Sequence, residues 1–114
     1  MKALIILNDP PYGTERSYNG LRLANSLSRR EGVEVRVFLL GDAVGCAIAN
    51  QKVADGYYHL DRMVTSLIHH GGSVGCCGTC MDARGLRRGL PRRGCQALNA
   101  RGSHRLVCLG RQGL

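Results

Sequence analysis

Residues 3–11 read ALIILNDPP, a continuous apolar run followed by two polar residues and two prolines. An unbroken run of this kind is typical of a strand buried on both faces of a parallel sheet, and prolines end such a strand. The stretch therefore predicts a first β-strand with a turn after it. A second run, residues 33–40, is rich in β-branched side chains and ends at Gly41 and Asp42, which predicts a second strand.

Helical patterns separate and follow these strands. Residues 14–30 repeat apolar side chains at three-residue spacing behind Thr14, which can cap a helix. Asp42 can cap a second helix over residues 43–50, and residues 60–68 carry the apolar face of a third. Strands that alternate with helices predict βαβ units with right-handed crossovers. The sequence therefore predicts an α/β fold with a mostly parallel sheet covered by helices on both faces.

The candidate functional residues follow the ends of predicted strands. A short strand over residues 73–76 runs into Cys77-Gly78-Thr79-Cys80, and the loop 9–14 and Asp42 follow the first two strands. Ligands of parallel sheets bind beyond the carboxyl ends of the strands. We therefore expect one edge of the sheet to collect all of these groups.

Cys77 and Cys80 form a CxxC pair. A thiolate is the nucleophile in sulfur chemistry, and a helix N-terminus favours it, so a helix opening after Cys80 would lower the pKa of these thiols. Their spacing lets the two sulfurs form a disulfide, pass a persulfide or share a metal. The structural alternative is a pair of buried cysteines that behave as small apolar residues. Cys76 would point to the opposite side of the strand and is predicted to be core.

The cysteine count favours reactive thiols over structural bridges. Three of the six cysteines lie within five residues, and the opening MKALIILND lacks the pattern of a secretory leader. No run approaches the ~20 apolar residues of a membrane span. We therefore expect a cytoplasmic protein that does not enter a membrane.

Residues 74–85, VGCCGTCMDARG, resemble the cysteine motif of DsrE/DsrF-like proteins, whose pattern in this branch is CGTCxxARG. Further similar blocks are residues 8–13, 38–44 and 51–58, so the resemblance covers residues 1–85. It implies a flavodoxin-like, three-layer α/β fold and assembly into dimers, trimers or hexamers. It also implies that sulfur is carried as a cysteine persulfide between donor and acceptor proteins, in a sulfurtransferase-like manner.

The resemblance also implies roles for individual residues. By its distance from the Arg-Gly pair, the sulfur-carrying cysteine of the family maps onto Cys77, with Cys80 as a second thiol. The matched blocks contain five further residues that we expect to support the cysteines: Asp9, Tyr12, Asp42, Thr79 and Arg84. Asp9 and Asp42 also have a simpler interpretation as turn or cap residues. No metal and no cofactor are predicted.

The last thirty residues differ from the rest of the chain. Residues 1–84 hold nine Lys/Arg and eight Asp/Glu, whereas residues 85–114 hold seven Arg and no acid. Three interpretations compete for this basic tail: a nucleic-acid-binding arm, a disordered segment, and a frameshifted form of the family's ordinary C-terminus. An arm for nucleic acid is disfavoured, because the segment has no aromatic residue for base stacking, and we predict no nucleic-acid partner.

We prefer the frameshift for residues 86–114. Arg, Gly, Leu, Pro and Cys are the residues that GC-rich DNA yields out of frame. Residues 97–113 can be encoded by synonymous codons that, read one nucleotide later, give RSTREDLTGWSAWADKV. That string has the pattern of a capped helix followed by a strand and resembles the end of these proteins. The hypothesis predicts an α/β domain over residues 1–85, an absent or altered final helix and strand, and no role for Cys95 and Cys108.

Three function classes remain for the cysteine pair. The leading one is a sulfur-relay protein that carries persulfide sulfur on Cys77. The second is a thiol-disulfide redox-sensing module that uses both cysteines. The third, a metal-binding protein using Cys76, Cys77, Cys80 and a histidine, is disfavoured because adjacent cysteines on a strand diverge and a closed zinc site usually needs a second ligand pair.

Overall fold

The protein is represented by a computed structural model that describes residues 1–86 and the backbone of residues 96–98. Strands and helices alternate along the chain, with one 3-10 helix between β2 and α2. In chain order the elements are β1 (Lys2–Leu7), α1 (Arg16–Ser28), β2 (Glu34–Leu39), the 3-10 helix (Gly41–Ala47), α2 (Leu60–His69), β3 (Ser73–Cys77), α3 (Gly78–Ala83) and β4 (Gln96–Leu98).

The four strands form one parallel sheet in the order β1-β2-β3-β4. Lys2 pairs with Glu34 at the start of β1 and β2, and Leu39 pairs with Cys76 where β2 meets β3. The α/β class with a parallel sheet, which the alternating strand and helix patterns predicted, is confirmed.

The core lies between the sheet and helices α1 and α2. Alternate residues of β2 and β3 point into it, and the two helices contribute apolar side chains at helical spacing, among them Leu21, Val64 and Leu67. Full burial of a side chain of this size contributes about 2 kcal/mol. The core members of β2 and β3 are Val35, Val37, Leu39, Val74 and Cys76.

The opposite face of the sheet differs from the prediction of burial on both sides. Leu4 and Ile6 of β1 are 58% and 52% exposed. The chain moves in one direction across the sheet from β1 to β3, and right-handed crossovers in one direction place their helices on the same face. Within residues 1–86, helices α1 and α2 therefore cover one face, and the expectation of a third layer concerns residues outside those described.

Two local expectations for helices also differ. The helix predicted after Asp42 is a 3-10 helix that begins at Gly41 and follows Leu40 in extended conformation, without a side-chain cap. Helix α1 begins at Arg16, two residues after Thr14, whose hydroxyl accepts a hydrogen bond from the Arg16 N–H at 3.3 Å. Asp42 does not cap its helix because it lies within the first turn, one residue after the helix begins, and its carboxylate contacts a distant arginine described below.

Strand β4 lies inside the segment that the sequence analysis assigned to the basic tail. Its backbone continues the sheet beyond β3, with Cys76 opposite Ala97. The frameshift hypothesis and the altered final helix and strand concern residues 86–114, of which residues 87–95 and 99–114 are outside the described residues. No helix among the described residues has the length and apolar character needed to cross a membrane.

Candidate functional site

The alternation of strand β3 separates two neighbouring cysteines. Cys76 is fully buried in the core beside the helices, whereas Cys77, the last residue of the strand, is half-buried. Successive side chains of a strand point to opposite faces, so this difference follows directly from their positions. The prediction that Cys76 belongs to the core is confirmed.

Cys77 joins β3 to α3 and caps that helix. Its sulfur accepts a hydrogen bond from the Cys80 N–H, with a nitrogen–sulfur distance of 3.3 Å. The Thr79 N–H also interacts with the sulfur, although the Thr79 side chain itself is exposed. Both thiols of the CxxC pair are free and half-buried. The expected placement of the pair at a helix start is therefore present, in a helix of six residues.

The pKa of Cys77 differs in direction from the sequence-based expectation. Burial of the sulfur raises the pKa above its usual value of 9.0, and a hydrogen bond with the Cys80 side chain raises it further. The backbone N–H groups of Cys80 and Thr79 lower the pKa, but they do not compensate for burial. The resting thiol is consequently protonated near neutral pH, and a reaction with it requires removal of its proton.

Arg84 connects α3 to the end of β2. Its guanidinium donates to Asp42 Oδ1, with Nε–Oδ1 and Nη2–Oδ1 distances of 2.9 and 2.8 Å. A third hydrogen bond runs from Nη1 to the carbonyl oxygen of Cys80, at 3.1 Å. One side chain therefore fixes the helix that carries Cys80 to the 3-10 helix that carries Asp42.

Gly41 lies beside this contact, and its φ of 58° is in the left-handed region that favours glycine. A Cβ built there would make only ordinary contacts, 3.6 Å from the carbonyl oxygen of Asn8 and 4.0 Å from Nη2 of Arg84. Asn8 and Gly41 follow β1 and β2, and Arg84 follows α3, the helix that begins at the end of β3. The carboxyl ends of these three strands thus meet at one edge, as the strand pattern predicted.

Asp9 makes its contacts within the loop before α1 and with α1 itself. The Asp9 carboxylate interacts with the Thr14 hydroxyl and with the Arg16 guanidinium at 3.4 Å each, and its carbonyl oxygen accepts from Ser17. Asp9 therefore has the turn-stabilising contacts of its simpler interpretation. The structure brings Cys77, Cys80, Thr79, Arg84 and Asp42 together.

The sequence pattern of the DsrE/DsrF-like family matches residues 1–104. The chain belongs to the DsrE/DsrF-like family. The match extends past residue 85, where the resemblance drawn from individual blocks stopped.

Individual relatives agree with this assignment. Protein YchN of Escherichia coli is 38% identical over 86 residues, which cover 75% of this chain and 73% of YchN. The uncharacterized protein MJ0989 of Methanocaldococcus jannaschii is 38% identical over 87 residues, or 76% of this chain and 75% of that protein. The crystal structure of the ychN protein from E. coli superimposes with a TM-score of 0.80 at 34% identity, covering 90% of this chain and 88% of the other.

Gln51 joins several loop segments through its side chain, and its sequence context did not indicate this. Its side-chain nitrogen donates to the carbonyl oxygens of Gly45, Cys46 and Ile48, and its oxygen accepts from the Tyr12 hydroxyl and the Asp61 N–H. The Tyr12 hydroxyl in turn accepts from the Leu60 N–H at 3.2 Å. Tyr12 thus helps to hold the loop before α2, and its position in the matched loop was the only feature that pointed to it.

The third function class that the sequence analysis considered was metal binding. Within the part of the chain that the structure describes, no group of three or more His, Cys, Asp or Glu side chains is arranged to hold a metal ion.

Proposed function

We propose that this DsrE/DsrF-like protein is a sulfur-relay protein that carries sulfur as a persulfide on Cys77. The main support is the position of Cys77, a half-buried thiol at the carboxyl end of β3 whose sulfur accepts the Cys80 N–H. A backbone N–H directed at sulfur stabilises negative charge on it, which a nucleophilic thiolate needs. Family membership supports the same chemistry, because sulfur transfer is what the resemblance implies for characterised members.

The proposed reaction is a thiol-persulfide exchange without net oxidation. The Cys77 thiol loses its proton, and the thiolate attacks the outer sulfur of a donor persulfide. A new S–S bond forms on Cys77 while the donor's S–S bond breaks, and the donor leaves as a thiolate that takes up a proton. An acceptor thiolate then attacks the outer sulfur on Cys77 in the same way, which restores the Cys77 thiol.

Cys80, Arg84 and Asp42 support this reaction in different ways. Cys80 supplies the N–H that contacts the Cys77 sulfur, and Arg84 holds the carbonyl of Cys80 through a hydrogen bond of 3.1 Å. Asp42 fixes the guanidinium of Arg84. Thr79 contributes through its backbone N–H. Asp9 and Tyr12 act one step further away, by holding the loop between β1 and α1.

The partners that we propose are sulfur donor and acceptor proteins in the cytoplasm, together with further copies of this chain. The free state of the four described cysteines fits a reducing compartment. Leu4, Ile6 and Phe38 lie on the sheet face opposite α1 and α2, and the strand register places Gly75 and Cys77 on that same face. Assembly into a dimer, trimer or hexamer through this face would bury its exposed apolar side chains beside the thiol.

A redox-sensing module is the second candidate, and one observation favours it. The side chains of Cys77 and Cys80 are within hydrogen-bonding contact. Two thiols this close can form a disulfide when an oxidant accepts two electrons and two protons leave. The mass change separates the candidates, because a persulfide adds about 32 Da, one sulfur atom, whereas a disulfide removes about 2 Da.

The test is peptide-resolved mass spectrometry of the full chain after incubation with a small-molecule persulfide donor. We expect the sulfur on Cys77, its release by a reductant, its retention in Cys80→Ser and its loss in Cys77→Ser. Oxidation to a Cys77–Cys80 disulfide without any uptake of sulfur would instead establish the redox module.

A further inference from the structure

A groove of about 440 Å³ lies between α1 and α2. None of its lining residues belongs to the cysteine site. Ser26 and Arg29 follow Arg22 by four and seven residues, with Arg29 at the cap position just after α1. On α2, Arg62 and Ser66 are four residues apart. Side chains at these spacings lie on one face of a helix, so both helices direct basic and hydroxyl groups into the same space.

The arginines of this groove have no acidic partner among the described residues. Within residues 1–86, no carboxylate forms an ion pair with Arg22, Arg29 or Arg62. Three other arginines, by contrast, do pair with acids: Arg16, Arg36 and Arg84. The groove therefore concentrates positive charge that the described part of the chain does not neutralise.

Asn25, between Arg22 and Arg29 along the chain, joins the two helices beside the groove. It is only 8% exposed and lines the groove. Its side-chain nitrogen donates to the carbonyl oxygens of Leu21 and Met63, at 2.9 and 3.1 Å. Its Oδ1 has no hydrogen-bond partner among the described residues, but this atom is buried and out of reach of a ligand in the groove. Asn25 therefore holds the two sides of the groove together and leaves the arginines to contact a ligand.

Arg22 is oriented by its neighbours. Its guanidinium lies 5.6 Å from the centroid of the Tyr18 ring, and Tyr18 itself stacks on Tyr58 with ring centroids 3.7 Å apart. An arginine held over an aromatic ring loses less conformational freedom when it binds an anion. One end of the groove is therefore partly preorganised.

The spacing of these groups determines which ligand would fit. Arg22 and Arg29 are two helical turns apart, about 10 Å along the axis, so a single small anion cannot contact both equally. Guanidinium groups bind the oxygens of carboxylates and phosphates. We propose that this groove binds a small organic molecule with two separated anionic groups. This inference does not depend on sulfur transfer.

Calorimetric titration of the full chain at low ionic strength tests the proposal, because salt screens exposed charges. The probes are fructose 1,6-bisphosphate for phosphate groups and citrate for carboxylates, with inorganic phosphate as the single-anion reference. We expect one of the two larger probes to bind with one site per chain and about tenfold more tightly than phosphate, because each added charged hydrogen bond contributes on that scale. The better probe identifies the anionic group.

Matched variants separate the groove from general positive charge. Arg29→Ala and Arg62→Ala should each weaken binding about tenfold, whereas Arg30→Ala, which removes the same charge beside Arg29 and outside the groove lining, should leave it within twofold. Equal losses in Arg29→Ala and Arg30→Ala would overturn the proposal. The proposal would also be overturned if both larger probes bound no more tightly than phosphate. Binding of a hexaglutamate peptide, but of neither larger probe, would overturn it as well.

Discussion

Two pairs of cysteines share one small fold but occupy opposite environments. Cys46 and Cys76 are fully buried in the helix-covered core, whereas Cys77 and Cys80 are half-buried at the carboxyl end of β3. Burial raises the pKa of Cys46 to about 12. Burial also raises the pKa of Cys77, where the N–H groups of Cys80 and Thr79 oppose it. Hydrogen bonds lower the pKa at both Cys46 and Cys77, so the extent of burial, rather than residue type or access to donors, distinguishes the two environments.

The largest expected effect comes from exchanging sulfur for oxygen at two adjacent positions. Cys77→Ser should abolish sulfur uptake and change the free energy of unfolding by less than about 1 kcal/mol, because the site is half-open. Cys76→Ser should keep uptake but destabilise the fold by about 1–3 kcal/mol, because it buries a hydroxyl in the apolar core. Urea unfolding and peptide mass spectrometry measure both quantities. Loss of sulfur uptake in folded Cys76→Ser would contradict the assignment of Cys77 as the sulfur acceptor and Cys76 as a core residue.

The second effect is a pH dependence of stability due to Cys46. An unfolded cysteine ionises near 9.0, but the buried thiol keeps its proton up to about 12. Between these values the folded state binds more protons than the unfolded state. The free energy of unfolding therefore falls as pH rises from 9 towards 12, by at most about 1.4 kcal/mol per pH unit from this group. Urea unfolding at several alkaline pH values should show a shallower fall in Cys46→Ala, and equal slopes would contradict the assigned burial effect.

A smaller effect concerns Cys80. In Cys80→Ala the side-chain hydrogen bond that raises the pKa of Cys77 is lost, while the N–H that lowers it remains. The pKa of Cys77 should fall, and alkylation at neutral pH should become about threefold faster because more of the thiol is ionised. Iodoacetamide kinetics followed by peptide mass spectrometry measure the rate. Thr79→Ala is the matched control, since its side chain is exposed, and equal acceleration in both variants would exclude the Cys80 side chain as the cause.

The smallest effect separates positioning from stability. Arg84 and Arg36 both form exposed ion pairs, so Arg84→Ala and Arg36→Ala should each cost less than about 1 kcal/mol. Only Arg84→Ala should slow sulfur uptake by Cys77, by about twofold, because only Arg84 holds the carbonyl of Cys80. Mass spectrometry of samples quenched at successive times measures the rate of sulfur uptake in the two variants. An equal rate in both would show that Arg84 has no positioning role.

Local patterns in the sequence were sufficient for the first three strands and for helices α1 and α2, but not for β4. The apolar runs correspond to β1 and β2, and the two-residue alternation assigned Cys76 to the core. Features that depend on contacts between distant segments could not be predicted from local patterns. Asp42 is a residue type that often caps helices, but its helix begins one residue earlier, and its carboxylate contacts Arg84, 42 positions away. The continuous apolar run of β1 gave no indication that Leu4 and Ile6 would be exposed among the described residues.

The same limit applies to the candidate site. The CxxC spacing and the strand ends predicted which thiols lie together, but the pKa of Cys77 depends on burial, which only the packed fold determines. Gln51 contacts five other residues, although nothing in its sequence context distinguishes it from a loop residue. The unpaired arginines of the groove were also missed, because the nearly neutral charge of residues 1–84 concealed their clustering on two helices.

The central claim is that Cys77, rather than the adjacent Cys76, accepts sulfur. The most direct test incubates the full chain with a donor that carries heavy-isotope sulfur, blocks free thiols, and assigns the isotope to individual cysteines by fragment mass spectra. We expect the label on Cys77, where a reductant should release it, and we expect Cys46 and Cys76 to stay unlabelled until the protein is unfolded. Label on Cys76 in the folded protein, or no label on either cysteine of the CxxC pair, would contradict it.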